Sequence, residues 1–425
     1  MARPLAKIAK TVKTGFRPHA ANANPWIAVA IATVLLLVWN ANNASFGVFF
    51  KPIIEEFGWG RGAVSLAITI RWLVVAVSVM FMGHFSDRYG PRSVVLPCFL
   101  LISAGFLLMS RVTAIWQLYL VQGLLMGVGT AGPLVCLIST VAKWHEKKRG
   151  LALGVATAGT GLAIVVFPPL AAGLISAIGW QEASVAMGLG TLVIAVTGSL
   201  FVKNPPLAKN QNALATSGEV KRDGQSKSQG PLDVIRSLPH LLRNRQFLSI
   251  FMFFLLFQAG CQLVNNHFVN YMTDAGIKTL MAATVMSVTG MAGVAGRLAM
   301  GPLSDKLGSR TDAAICCSLV ATALVLLTFK VEPLMWFSAV LFGVGWGGAA
   351  PLVPAMAGDY LGQERLATMT GSVLVGVNLG GAIGPWLGGF LFDVTNSYLW
   401  ALILSAVLAA VGLAIILRLD QQGEN

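Results

Sequence analysis

Apolar residues run along the chain in long unbroken stretches, each ending at a cluster of charged or turn-forming residues. A helix rises about 1.5 Å per residue, so about 20 apolar residues cross a hydrocarbon core of roughly 30 Å. Stretches of that length fall at 26–49, 63–84, 93–110, 114–142, 150–178, 183–202, 246–272, 279–301, 312–330, 334–358, 366–392 and 398–417. They predict an all-α membrane protein with twelve transmembrane helices. Barrel strands are excluded, because their apolar and polar positions would alternate. The polar interval at 203–245, rich in Ser, Gly, Gln and Lys, reads as a cytoplasmic linker with a short amphipathic helix near 231–244. The expected organisation is a tail at 1–25, a six-helix bundle at 26–202, the linker at 203–245, a second six-helix bundle at 246–417 and a tail at 418–425.

Composition agrees. The 425 residues are 56% hydrophobic and 11% charged, whereas a soluble domain needs about 25% charged residues to face water on all sides. A soluble enzyme, a disordered chain and a disulfide scaffold are excluded. The net charge of +13 suits either nucleic acid or a cytoplasmic membrane surface, and position decides between them. Of the 30 Lys and Arg residues, 23 fall in segments that lie on one side if both termini are cytoplasmic. Five (Lys51, Arg61, Arg111, Lys278 and Lys330) fall on the other. That asymmetry follows the positive-inside rule and needs no nucleic acid. The basic first 25 residues precede an apolar run too long for a cleaved signal, and read as a retained tail. The five cysteines lie in apolar spans without metal-type spacing.

The two halves repeat. At an offset of 218 residues, Gly83-His-Phe-Ser-Asp87-Arg88-Tyr-Gly90-Pro-Arg92 aligns with Gly301-Pro-Leu-Ser-Asp305-Lys-Leu-Gly308-Ser-Arg310, each closing the second span of its half. Gly127-Val-Gly129 with Pro133-Leu-Val135 recurs as Gly343-Val-Gly345 with Pro351-Leu-Val353. A duplicated six-span unit explains both. The paired loops resemble the G-x-L-x-D-R-x-G-x-R signature of the major facilitator superfamily, and Gly380-Gly-Ala-Ile-Gly384-Pro385-Trp-Leu-Gly388-Gly389 resembles its G-x-x-x-G-P-x-x-G-G motif. The resemblance covers the whole chain and implies a secondary transporter working by alternating access, with the paired loops as its conformational motif.

The charges inside the spans speak to substrate. The 17 acidic residues all fall at span ends, in loops or in tails, leaving Arg71, Arg297 and, near an end, His267. An ionisable group at membrane depth costs at least ~2.5–3.5 kcal/mol, so it is a functional candidate by default. Two guanidinium groups without a carboxylate should attract an anion, and Arg can hold both oxygens of a carboxylate in its fork. Arg297 could instead snorkel to the inner headgroups, and Arg71 bond backbone carbonyls of a bent helix. His267 suits a proton relay or an interfacial position. It points away from Gln258 and Gln262, which share a face with Asn265 and roughly with Asn266. Asn40, Asn42, Asn43 and Ser45 in the first span either bond substrate or tie helices together. Tyr119, Gln122, Trp346 and Asn378 are further candidates, Trp346 as a pocket wall among glycines.

A narrower resemblance joins these residues. Ser45-Phe-Gly-Val-Phe-Phe50, Lys143-Trp-His-Glu-Lys-Lys-Arg-Gly-Leu-Ala-Leu-Gly154 and Gly290-Met-Ala-Gly-Val-Ala-Gly-Arg297-Leu-Ala-Met-Gly301 resemble the monocarboxylate porter family, to which oxalate/formate antiporters are related. The resemblance implies proton-coupled symport of a small carboxylate such as lactate or pyruvate, with organic-anion exchange of the oxalate/formate type as the alternative. It implies Arg297 as the carboxylate ligand, and His267 with Tyr271-Met-Thr-Asp274 as the counterpart of a bacterial histidine. The implied partners are the carboxylate anion, a proton and the bilayer of the plasma (inner) membrane, for a monomer with no cofactor. Two departures stand out. Animal members carry Asp where this chain has Gly293, and their first-span lysine falls on Ala44, so their proton route does not carry over.

Overall fold

The computed structural model describes residues 25–145, 149–202, 244–361 and 366–419. Every regular element among them is a helix. The first half holds α1 Pro25–Trp39, α2 Ala41–Phe57, α3 Arg61–Tyr89, α4 Arg92–Met109, α5 Ile115–Leu118, a π-helical turn Tyr119–Leu125, α6 Met126–Ala131, α7 Pro133–Trp144, α8 Arg149–Ile178 and α9 Trp180–Phe201. The second holds α10 Arg245–Asp274, α11 Thr279–Leu307, α12 Ser309–Leu327, α13 Glu332–Gly348, α14 Leu352–Leu361, α15 Leu366–Thr395 and α16 Leu399–Leu417. Eleven helical runs among the described residues are long and apolar enough to cross a membrane, and α13 with α14, bent by 44°, makes a twelfth. The expected amphipathic helix near 231–244 and the tails lie outside the described residues, apart from Pro25, Asn244, Arg418 and Leu419.

Several helices outlast their apolar runs. The first span continues through Lys51, Glu55 and Glu56 to Phe57, and α3 ends at Tyr89 rather than near 84. Apolarity marks only the hydrocarbon depth, whereas a helix stops where its backbone is turned. Those stops are glycines in the left-handed region: Gly58 at φ 67°, Gly90 at φ 88° and Gly308 at φ 83°, where a Cβ would be strained. The repeated loops therefore share a backbone reason for their glycine. The Gly90 and Gly308 amides each donate at 2.9 Å to the carbonyls of Ser86 and Ser304. Arg88 and Arg92 are exposed, and Arg310 bonds the Leu417 carbonyl. Gly83 lies in α3; the Asp87 and Asp305 side chains are outside the described residues.

Helix α1 packs on α8 and α4 on α9, while α10 packs on α15 and α16, and α11 on α13. The halves meet where α3 lies on α15, α8 on α11 and α2 on α10. We call the face of loops 58–60, 275–278 and 396–398 distal, and the face where α1 begins and α16 ends proximal. On α3 and α10 the contacts across the halves cluster toward the distal end. The Thr69 hydroxyl donates to the Ala382 carbonyl at 2.6 Å, and a Cβ on Gly389 would sit 2.6 Å from the Arg61 carbonyl. Gly380 and Gly384 press on α10, where a Cβ would run into the carbonyls of Leu255 and Ala259. The glycine motif of α15 thus serves helix contact on two sides.

Gly389→Val should hold the distal face open, because overpacking costs about 1–3 kcal/mol and falls on one state only. A cysteine at buried Ser65, shielded in the parent, should then react with membrane-impermeant maleimide. The five native cysteines are free and buried. Unchanged protection at Ser65 would reject this use of Gly389.

Candidate functional site

Two clusters occupy the contact between the halves. The first is a hydrogen-bonded ladder joining the two arginines. Arg71 is 3% exposed, and its Nη2 donates to Asn43 Oδ1 at 2.8 Å. Asn43 Nδ2 donates to Asn40 Oδ1 at 3.3 Å, and Asn40 Nδ2 to the Thr160 carbonyl at 2.9 Å. From the other half, Arg297 Nη1 donates to the Thr160 hydroxyl at 2.8 Å. That hydroxyl gives its own proton to the Thr157 carbonyl at 2.8 Å. Arg71 lies ten residues past the distal start of α3, and Arg297 ten before the proximal end of α11. Each is therefore about 15 Å from its helix end, and the Arg297 guanidinium is turned inward to Thr160. Arg297 keeps Nε without a partner, and its bond to Thr160 orients the guanidinium from one side.

The second cluster closes the distal face. Asp393, near the end of α15, accepts from the backbone amides of Arg61 at 2.8 Å and Gly62 at 2.7 Å. It thereby caps the positive end of α3 from the opposite half. Arg61 pairs with Asp274 at 2.7 Å, and Lys51 with the same carboxylate at 3.6 Å. The Arg61 guanidinium also lies 3.6 Å from the Phe392 ring centroid and donates to the Tyr398 hydroxyl at 2.7 Å. His267 sits directly beneath, 2% exposed. Its Nδ1 is 3.1 Å from that hydroxyl and its Nε2 2.9 Å from the Pro385 carbonyl. A carbonyl only accepts, so Nε2 carries the ring proton and Nδ1 accepts from Tyr398. Ser65 Oγ stands 3.4 Å from Nε2, and Phe50 meets the ring edge-on at 5.2 Å. Above the cluster a hollow of about 360 Å³ is lined by Arg61, Tyr271, Asp274, Lys330, Asn396 and Tyr398.

The sequence candidates divide accordingly. Arg71, Asn43 and Arg297 are joined in the ladder; His267 belongs to the distal closure, with both ring nitrogens engaged. The Asn266 amide is spent on its own helix, on the carbonyl and side chain of Gln262 at 2.9 and 3.0 Å, so this part of the Gln/Asn face bonds within α10. Tyr119 props the first turn of α3 through the Ala63 carbonyl at 3.1 Å. Trp346 Nε1 reaches Gln258 at 3.4 Å. Asn378 is partly exposed on α15 with no hydrogen bond among the described residues. A Cβ on Gly347 of α13 would strike the Gly293 backbone, whereas one on Gly293 itself would lie at ordinary contact distance, 3.4 Å from the Gly343 carbonyl.

Nothing in the sequence alone singles out Thr160, Arg61, Asp393 or Tyr398 as a site residue. A threonine in an apolar run carries no signal, and charges at span ends read as ordinary interface. The pairing of Arg61 with Asp274 had only opposite sign on one face to suggest it.

A profile described as the Major Facilitator Superfamily matches residues 30–330 and 298–425. The chain belongs to this superfamily. Among curated superfamily proteins, monocarboxylate transporter 11 of Homo sapiens is 28% identical over 400 residues, covering 91% of this chain and 81% of that protein. Monocarboxylate transporter 13 of Rattus norvegicus is 26% identical over 378 residues, covering 88% and 84%. The solved structure of the nucleoside transporter NupG (D323A mutant) superposes with a TM-score of 0.77 at 12% identity, covering 93% of this chain and all of that one. A bacterial homologue of the lysosomal transporter Spinster gives 0.68 at 15%, covering 92% and 95%. These two likenesses concern the fold alone. The chain is a multi-pass membrane transporter similar to the monocarboxylate porters, and not an enzyme.

Proposed function

We propose that the protein carries small monocarboxylates of the lactate or pyruvate type with a proton, the halves 26–202 and 246–417 rocking about the ladder. It acts as a monomer in the plasma (inner) membrane with both termini cytoplasmic. The observation that carries this reading is the half-used guanidinium of Arg297: Thr160 holds Nη1, and Nε has no partner. The Nε–Nη2 edge suits the two oxygens of one carboxylate. The names of the similar proteins point to the same substrate class.

The proton is assigned to His267. A second ring proton would turn Nδ1 from acceptor to donor, and Tyr398 would then have to accept from both His267 and Arg61. It would also add a positive charge to a set in which Lys51 and Arg61 are balanced by Asp274 and Asp393. Protonation therefore weakens the distal closure and favours loading from that side.

Proteoliposome uptake under an imposed pH gradient tests the coupling. Acid on the loading side should drive lactate accumulation; uptake indifferent to pH, and seen only with an anion loaded inside, would establish exchange of the oxalate/formate kind instead. Arg71, a second guanidinium without an acid, is the observation that favours exchange. His267→Gln should retain counterflow of labelled lactate and lose pH-driven accumulation. Accumulation at the parental level would remove His267 from the proton route.

A further inference from the structure

Arg71 is the charge that the transport cycle leaves over. The ion pairs among the described residues are Lys51–Asp274 and Arg61–Asp274, so no carboxylate there balances it. Its one hydrogen bond runs to a neutral amide, Asn43, and its Nη1 is buried without a partner. An uncompensated buried cation is strongly destabilising, and in a membrane span it marks an ion pathway or a ligand.

The surroundings hold further unspent groups. Gln122 Nε2 donates to Asn42 Oδ1 at 3.3 Å, leaving Asn42 Nδ2 and Gln122 Oε1 buried and without partners. Gln122 stands in the π-helical turn Tyr119–Leu125, a distortion that recurs at functional sites. That turn packs on α3 beside Arg71. A Cβ on Gly123 would meet Ile70 at 2.7 Å, and one on Gly127 would lie 3.3 Å from the Arg71 carbonyl. Asn42 and Asn43 are neighbours on α2, one engaged by the turn and the other by Arg71. One cation, a spare amide donor and a spare amide acceptor thus gather where α2, α3 and the π turn meet.

We propose that Arg71, with Asn42, Asn43 and Gln122, forms a second anion site in the first half, separate from Arg297, for a small monovalent anion. Chloride and the carboxylate of the transported acid share that chemistry. Arg71 Nη1 and Asn42 Nδ2 are the donors, and the anion supplies the missing counter-charge. Gln122 Oε1 offers an acceptor that a bare halide leaves unused and the hydroxyl of a 2-hydroxy acid satisfies. The site goes beyond the role given to Arg297 and does not depend on it.

The test uses the purified full-length protein in detergent at constant ionic strength, with gluconate replaced by chloride or by lactate. Either anion at the site should raise the melting temperature saturably, by about 1–2 °C. The increments are read in Arg297→Gln, which removes lactate binding at Arg297, and should vanish when Arg71→Gln is added to that variant. An increment from chloride identifies an inorganic anion; one from lactate alone identifies the carried acid. An increment undiminished when Arg71→Gln is added, or none with either anion, overturns the proposal. Should Arg71→Gln fail to fold, parent crystals grown in bromide and in bromoacetate decide: an anomalous peak beside Arg71 with either supports the site, and its absence with both overturns it. Failure of the transport assignment is read separately, from uptake by Arg297→Ala.

Discussion

Replacing Arg297 with alanine should lower carboxylate uptake by about two orders of magnitude while leaving the amount of protein in the membrane unchanged. Truncating one partner of a buried, hydrogen-bonded charge pair costs about 2–5 kcal/mol, and each 1.4 kcal/mol is a factor of about ten. The fold should tolerate the change, because Arg297 gives the protein one side-chain bond, to Thr160, and otherwise carries an unsatisfied Nε. Arg297→Lys should be nearly as damaging, since an ammonium cannot present two parallel donors to a carboxylate while also holding Thr160. Initial rates in proteoliposomes, normalised to protein, measure this. An alanine variant within about threefold of the parent would dismiss Arg297 as the carboxylate ligand.

Arg61→Gln should have the second largest effect, by releasing the distal closure. Arg61 joins α3 to Asp274, Phe392 and Tyr398 at once, and hydrogen bonds to charged groups are worth about 1.5–3 kcal/mol each. Losing them moves the balance between distal-closed and distal-open states by one to two orders of magnitude. Hydrogen exchange reads this at the Gly62 amide, which Asp393 protects while the face is shut. Exchange there should accelerate at least about tenfold, and net uptake should fall because the cycle stalls open. Asp274→Asn should have a smaller effect, because Arg61 keeps Phe392 and Tyr398, and the double variant should be little worse than Arg61→Gln, since the Arg61–Asp274 contact is lost in each. Additive effects would show that Arg61 and Asp274 act separately.

Much of this was legible in the chain. Span number, the duplicated unit and the depth of Arg71 and Arg297 follow from the cost of placing polar groups in hydrocarbon, a cost written residue by residue. The orientation of His267 away from Gln258 and Gln262 was legible too, because helical phase alone sets it. Its company was not: Tyr398 and Pro385 lie 131 and 118 residues further along the chain, and nothing local announces either. Asp393 was opaque for another reason. It bonds backbone amides, which every residue has, so no complementary side chain betrays it. Thr160 escaped because a lone hydroxyl in a helix ordinarily bonds its own turn, as this one also does.

The distal closure has an electrical consequence. Lys51, Arg61, Asp274 and Asp393 sum to zero, so opening and shutting that face displaces no net charge through the membrane field. A voltage of 100 mV acts on one elementary charge with about 2.3 kcal/mol, and it finds nothing to act on in the closure itself. Voltage sensitivity must enter with the cargo or with Arg71 and Arg297, cations inside the spans that no ion pair among the described residues balances. One monocarboxylate carried with one proton on His267 adds no net charge to the carrier, whereas trading a dianion for a monoanion would make the same scaffold a current source.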